Sequence, residues 1–185
     1  MGIGGGLLIA SLPVRAAWAL GGELPKLDEA APDFALDGVA PGSGPEAGQA
    51  VATRLSLGDF ACQWLVLYFY PRDFTEGYTL EARGFQRDLA SFERAGCAVV
   101  GISADTADSH AEFCGSEGLA YPLLSDPNGV VSRRYGSWMA PFSLRHTFLV
   151  DPQGMLRARW VGVRPQGHSQ EVLAELMLQR RQALA

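Results

Sequence analysis

The sequence predicts a single α/β domain in which helices flank a central mixed sheet. Two apolar runs carry this expectation, "WLVLYFY" at residues 64–70 and "CAVVGIS" at 97–103. Both are rich in branched and aromatic side chains, as a strand buried on two faces requires. A stretch with helical periodicity lies between them, so strand, helix and strand form a crossover unit with parallel neighbours. The third observation is "HTFLVDPQGMLRARWV" at 146–161, two strand-like runs joined through Pro152-Gln153-Gly154, which reads as a β-hairpin. At 185 residues and 48% hydrophobic composition, the chain is long enough to bury one core.

In chain order, residues 1–19 stand apart. A short apolar centre is followed by Ala17-Trp18-Ala19, a small-x-small pattern typical of signal-peptide cleavage. The apolar stretch is shorter than the ~20 residues of a membrane span. No basic residue precedes it, and Arg15 lies on its far side. The expectation is export to a periplasm, lumen or extracellular space, with no stable membrane insertion after cleavage. If the segment is not a signal, it is an N-terminal extension of a cytoplasmic protein. Residues 20–50 form an N-terminal edge segment and a Gly/Pro-rich loop. Within it "APDFAL" at 31–36 reads as a short edge strand, Asp37-Gly38 as a turn and "APGSGPEAGQA" at 40–50 as an exposed loop.

Residues 51–185 are the main body of the same domain. The helix after the first buried strand starts near Tyr78, where Ala82, Phe85, Leu89 and Phe92 form one buried stripe and Gly96 provides the stop. A second helix covers 106–116 and ends at Gly118. "YPLLSDPNG" at 121–129 is a short strand closing in a turn, with a brief helix at 130–135. A last amphipathic helix, 168–181, buries Val172, Leu173, Leu176 and Met177.

Composition excludes several function classes. The net charge is −5, and fourteen arginines and the single Lys26 are scattered among acids, so no nucleic-acid footprint is present. His110, His146 and His168 are isolated and lack ligand spacing; neither a metal nor another cofactor is expected. Cys62, Cys97 and Cys114 form no C-x-x-C pair, which excludes a zinc ribbon and a dithiol oxidoreductase motif.

The order of elements matches a thioredoxin-like α/β sandwich, and "FYPRDFTEGYTLEARGF" at 69–85 resembles the active-site segment of peroxiredoxins, specifically the peroxiredoxin Q or bacterioferritin comigratory protein branch. The family signature is Pro-x-x-x-Thr-x-x-Cys, and Pro71, Thr75 and Tyr78 occupy its three marked positions. "APDFAL", "GISAD", "YPLLSDPNG" and "RHTFLVDPQG" follow the branch in order, and "RPQGH" precedes the last helix as it often does there. The resemblance spans roughly residues 30–178. It implies reduction of hydrogen peroxide and organic hydroperoxides, with thioredoxin or a similar thiol donor as partner.

The departures fall on the chemistry. Tyr78 stands at the peroxidatic cysteine position and Arg83 at the position, five residues on, where a resolving cysteine often lies. The accessories are kept. Thr75 is in the loop and Arg145 precedes "HTFLV"; alone they read as a loop hydroxyl and a surface cation, and the motif makes them pocket-lining groups. Such surroundings lower the pKa of a thiol, whose thiolate attacks the O–O bond and becomes a sulfenic acid. A phenol starts near ~10, about 3 units or ~4 kcal/mol from half-ionisation at pH 7, which an arginine and a helix end can supply. The product decides against it: phenolate attack on a peroxide oxygen exchanges one O–O bond for another and reduces nothing.

The expected role is therefore a degenerate, binding-type peroxiredoxin, taking a small peroxide or oxyanion ligand or a protein partner, with Tyr78 plugging the pocket and bonding to Arg145. Two alternatives stand beside it. One is an active peroxidase using Cys114, which otherwise reads as a core residue. The other is a holdase or protein-interaction module. Cys62 and Cys97 precede and begin neighbouring strands at the end opposite the site; they read as small buried thiols or as a structural disulfide.

Overall fold

The computed structural model describes residues 18–183. Residues 1–17, which carry most of the export pattern, lie outside the described residues. The strands are β1 (Trp18–Ala19), β2 (Gly22–Glu23), β3 (Ala35–Pro41), β4 (Ala50–Ser56), β5 (Trp64–Phe69), β6 (Cys97–Ser103), β7 (Leu123–Ser125), β8 (Trp138–Met139), β9 (Phe142–Ser143), β10 (His146–Val150) and β11 (Leu156–Val161). The helices are α1 (Glu76–Arg94), α2 (Ala107–Glu117), α3 (Val130–Arg134) and α4 (His168–Gln182). Seven strands form the central sheet in the order β11-β10-β5-β6-β7-β3-β4. The β5–β6 and β6–β7 pairs are parallel, and all the others are antiparallel.

The period-two alternation of β5 divides the core. Trp64, Val66, Tyr68 and Tyr70 face the layer holding Phe85, Phe92, Phe113, Val172 and Leu176 from α1, α2 and α4. Leu65, Leu67 and Phe69 face the other layer, with Phe34, Val131, Tyr135 and Phe148. Helices thus cover both faces of a mixed sheet, the predicted architecture. In α1 the stripe of Ala82, Phe85, Leu89 and Phe92 is buried as expected.

Three expectations need correction. The edge strand expected at 31–36 with a turn at Asp37-Gly38 is instead β3 (Ala35–Pro41), an interior strand between β7 and β4. Asp37 and Gly38 pair mid-strand with Arg54 and Thr53 of β4, a strand the periodicity did not reveal. The glycine is there for close approach: a Cβ at position 38 would lie 2.2 Å from the Leu123 carbonyl oxygen. In α4, Val172 and Leu176 are buried, but Met177 is 43% exposed, because that helix presents only a narrow stripe to the sheet. Cys62 and Cys97 are both free thiols, and Cys62 is exposed. Its N–H bonds to the Pro152 carbonyl beyond β10, on the flank of β5 away from β6, so it sits on the wrong side to reach Cys97.

Candidate functional site

Topology brings the predicted site residues together. β10 runs antiparallel to β5, with His146 opposite Phe69, so Arg145 arrives at the carboxyl end of β5. The chain leaves β5 at Tyr70, turns at Pro71 and enters α1 with Thr75 as N-cap. Arg145 then lies against the first turn of α1: a Cβ on Gly77 would be 3.0 Å from its Nη2. Glycine at 77 lets the guanidinium approach a helix end whose first amides have no intrahelical acceptor and whose dipole favours an anion.

Thr75 is bonded within the loop. Its hydroxyl makes no capping bond; it donates to the Arg72 carbonyl oxygen at 3.3 Å and closes the loop instead. Phe74 before it has φ = 57°, a left-handed backbone uncommon outside glycine, and its half-exposed ring meets Phe113 edge-on at 5.2 Å. Tyr78 is the third residue of α1. The expectation that its ring plugs the pocket concerns a side chain outside the described part. Arg83 donates to Glu117 through Nε at 2.5 Å and Nη2 at 3.3 Å, an exposed tie between α1 and the end of α2.

Two groups escaped sequence reasoning. The first is Glu81, one turn into α1, with its side chain only 1% exposed and its Oε2 3.6 Å from Nε of Arg145. Burial pushes its carboxyl up to about 8, against the opposing pull of Arg145. The signal was available: Glu81 lies four residues before Phe85, an acid on the apolar stripe. The second is a buried network under the loop. Asp73 accepts from the Tyr70 hydroxyl at 2.8 Å, from Ser109 Oγ at 2.8 Å and from His110 Nδ1 at 2.9 Å. The other ring nitrogen of His110 faces the Leu124 carbonyl at 3.3 Å. Both ring nitrogens thus lie against oxygen atoms, and the imidazole ties α2 to the loop. The Asp73 amide in turn donates to Asp105 Oδ2 at 2.9 Å, fixing the loop to the end of β6.

Two of the cysteines lie at the far end of the sheet. Cys62 and Cys97 are at the amino ends of β5 and β6, opposite the site. Cys114 is buried in α2, its thiol pushed up to about 12 by burial first and Asp73 second. Cys97 is likewise held at about 12, chiefly by burial. Among the described residues, no cluster of three or more His, Cys, Asp or Glu could hold a metal, and no helix is long and apolar enough to cross a membrane.

The fold and much of the sequence are shared with known proteins. Residues 27–159 match the AhpC/TSA family. The chain belongs to that family. Its AhpC/TSA relatives include the peroxiredoxin Bcp of Xanthomonas campestris pv. campestris, 37% identical over 139 residues, 70% of this chain and 86% of that one. The peroxiredoxin Bcp of Bacillus subtilis is 30% identical over 159 residues, 82% of this chain and 94% of the other. Among solved structures, Xanthomonas campestris peroxiredoxin Q superposes with a TM-score of 0.66 at 36% identity, covering 68% of this chain and 85% of that chain. The thioredoxin-like fold of AhpC/TSA proteins is thus the fold of this chain, and its function is peroxiredoxin-like.

Proposed function

We propose that this protein is a binding-type peroxiredoxin, with no thiol at the position where the family carries its nucleophile, and that its pocket takes a small oxyanion. The observation that carries the reading is the first part of α1. Tyr78 is third in the helix and Arg83 is engaged with Glu117, while Arg145 still rests on the turn at Gly77. A helix start with an adjacent guanidinium stabilises an anion whether or not a sulfur is present. Phenol and guanidinium provide neither a sulfenic acid nor a disulfide, so the two-step thiol cycle has no atoms to run on.

The test is peroxide consumption under stopped flow. The native chain is expected to consume hydrogen peroxide no faster than buffer. The double variant Tyr78→Cys, Arg83→Cys is expected to gain turnover when supplied with thioredoxin and its reductase, because Arg145 and the helix start remain in place. Rapid consumption by the native chain, abolished by Tyr78→Phe, would overturn the proposal.

A further inference from the structure

Among the described residues, Glu81 is a buried acid with neither oxygen hydrogen-bonded. Its ion-pair partner among the described residues is Arg145, with Nε at 3.6 Å, beyond hydrogen-bond length. Two tyrosine hydroxyls lie near, Tyr68 from β5 and Tyr121 from the loop before β7, and their protons are committed elsewhere. Tyr121 donates to the Ala82 carbonyl at 3.1 Å, and Tyr68 stands 2.9 Å from the Tyr121 oxygen, which it therefore supplies. An ionised carboxylate would have no donor here, and a neutral one has an O–H with no acceptor. Leaving either buried is costly.

The same guanidinium that faces Glu81 reaches the first turn of α1 at Gly77 and donates from Nη1 to the Val163 carbonyl at 3.4 Å. A hollow of about 610 Å³, lined by Phe74, Gly77, Thr79, Leu80 and Arg83, opens over that turn. The helix start at Gly77 opens on this hollow, Arg145 approaches the same turn, and Glu81 lies buried against Arg145 without a hydrogen bond. We propose that this turn is a proton-coupled anion site: a small monovalent oxyanion binds at Gly77 and Arg145, and Glu81 holds a proton as it does so. The inference deepens the oxyanion reading and rests on it.

The coupling follows from charge. Arg145 offsets part of the cost of ionising Glu81, and an arriving anion spends that positive field and adds a like charge beside the carboxyl. The complex thus favours neutral Glu81, and by linkage a proton is taken up with the anion wherever free Glu81 is ionised. Three buried neighbours of the pair are shifted away from neutrality. Burial holds His168 at the start of α4 down at about 4 and raises Tyr68 and Tyr121 above the usual tyrosine range. Since the Glu81 carboxyl is held at about 8, the transition falls in an accessible range.

The experiment is calorimetric titration of the full chain with sodium formate, an anion ionised throughout pH 6–9, in buffers of differing protonation enthalpy. At pH 8.5 the expected uptake is roughly 0.7 proton per formate, and affinity at pH 9 is about tenfold weaker than at pH 7. Glu81→Gln is expected to bind formate with no proton uptake and a flat pH profile. Formate binding by the native chain with no proton uptake and no pH dependence overturns the coupling and leaves the oxyanion reading standing. No formate binding at any pH overturns both. The decisive measurement uses the native chain and does not depend on the variant's folding.

Discussion

The Glu81→Gln substitution also makes a prediction about stability, and its sign runs against the usual behaviour of a carboxylate. The native state holds the Glu81 carboxyl at about 8, against an ordinary 4.5. Between those values the unfolded chain has released a proton that the folded chain retains. The contribution is fully present below about pH 4.5, falls as pH rises, and is lost as pH passes about 8. A gap of about 3.5 pH units at ~1.36 kcal/mol each sets a ceiling on the order of 5 kcal/mol, and relaxation around the acid lowers it. Glutamine keeps the shape and neutrality of the protonated acid and does not titrate. The variant should match the native chain near pH 5 and exceed it by roughly 2–4 kcal/mol at pH 9. Urea denaturation at several pH values between 5 and 9 measures this directly. A stability difference that is constant with pH, or that widens toward acid, would refute the reasoning.

Two further outcomes follow from burial. Phe85 is fully buried and stacks on Tyr68 with ring centroids 4.8 Å apart, so Phe85→Ala should lower stability by about 3–5 kcal/mol; a loss below ~1 kcal/mol would mean the α1 face is not packed as described. Alkylation of the native chain with iodoacetamide should label Cys62 alone. Labelling of Cys97 before denaturant is added would contradict its burial and its raised thiol.

How much of this was legible in the chain depended on how far each signal is local. The β5 and β6 runs and the α1 stripe were readable because apolar periodicity is written in consecutive residues. β3 and β4 were not, since they form one rim of the sheet with mixed exposure, and Asp37-Gly38 has the composition of a turn. Asp37 is mid-strand because β3 pairs along its length with β4, which sets Arg54, seventeen residues away, opposite it. The two-residue strands β8 and β9 are too short to show any period. At the site, the motif marked Pro71, Thr75 and Tyr78, and Arg145 came from the same resemblance. The pairing of Asp73 with His110, thirty-seven residues apart, has no sequence signature at all; a histidine isolated in sequence helps to hold the loop.

The strongest rival to a binding role is that Cys114 has taken over as nucleophile, and its surroundings argue against this on three grounds. It lies in the last half of α2, with its carbonyl accepting from Leu119 at 3.0 Å, so the helix end nearest it is the negative one. The described charge acting on it is Asp73, an anion, where a reactive thiol needs a cation. A thiol held at about 12 is ionised to roughly one part in 10⁵ at pH 7, against a few per cent for an unperturbed one near ~8.5. The reactive population is thus smaller by about three decades before access is considered, and the side chain is buried among Phe113, Leu119 and Tyr121. One equivalent of hydrogen peroxide, followed within seconds by a dimedone trap and mass spectrometry, should leave Cys114 unmodified. A stoichiometric sulfenic adduct at Cys114 would show that the thiol escapes the core on that timescale, and the binding-type assignment would then have to give way to an enzyme with a relocated nucleophile.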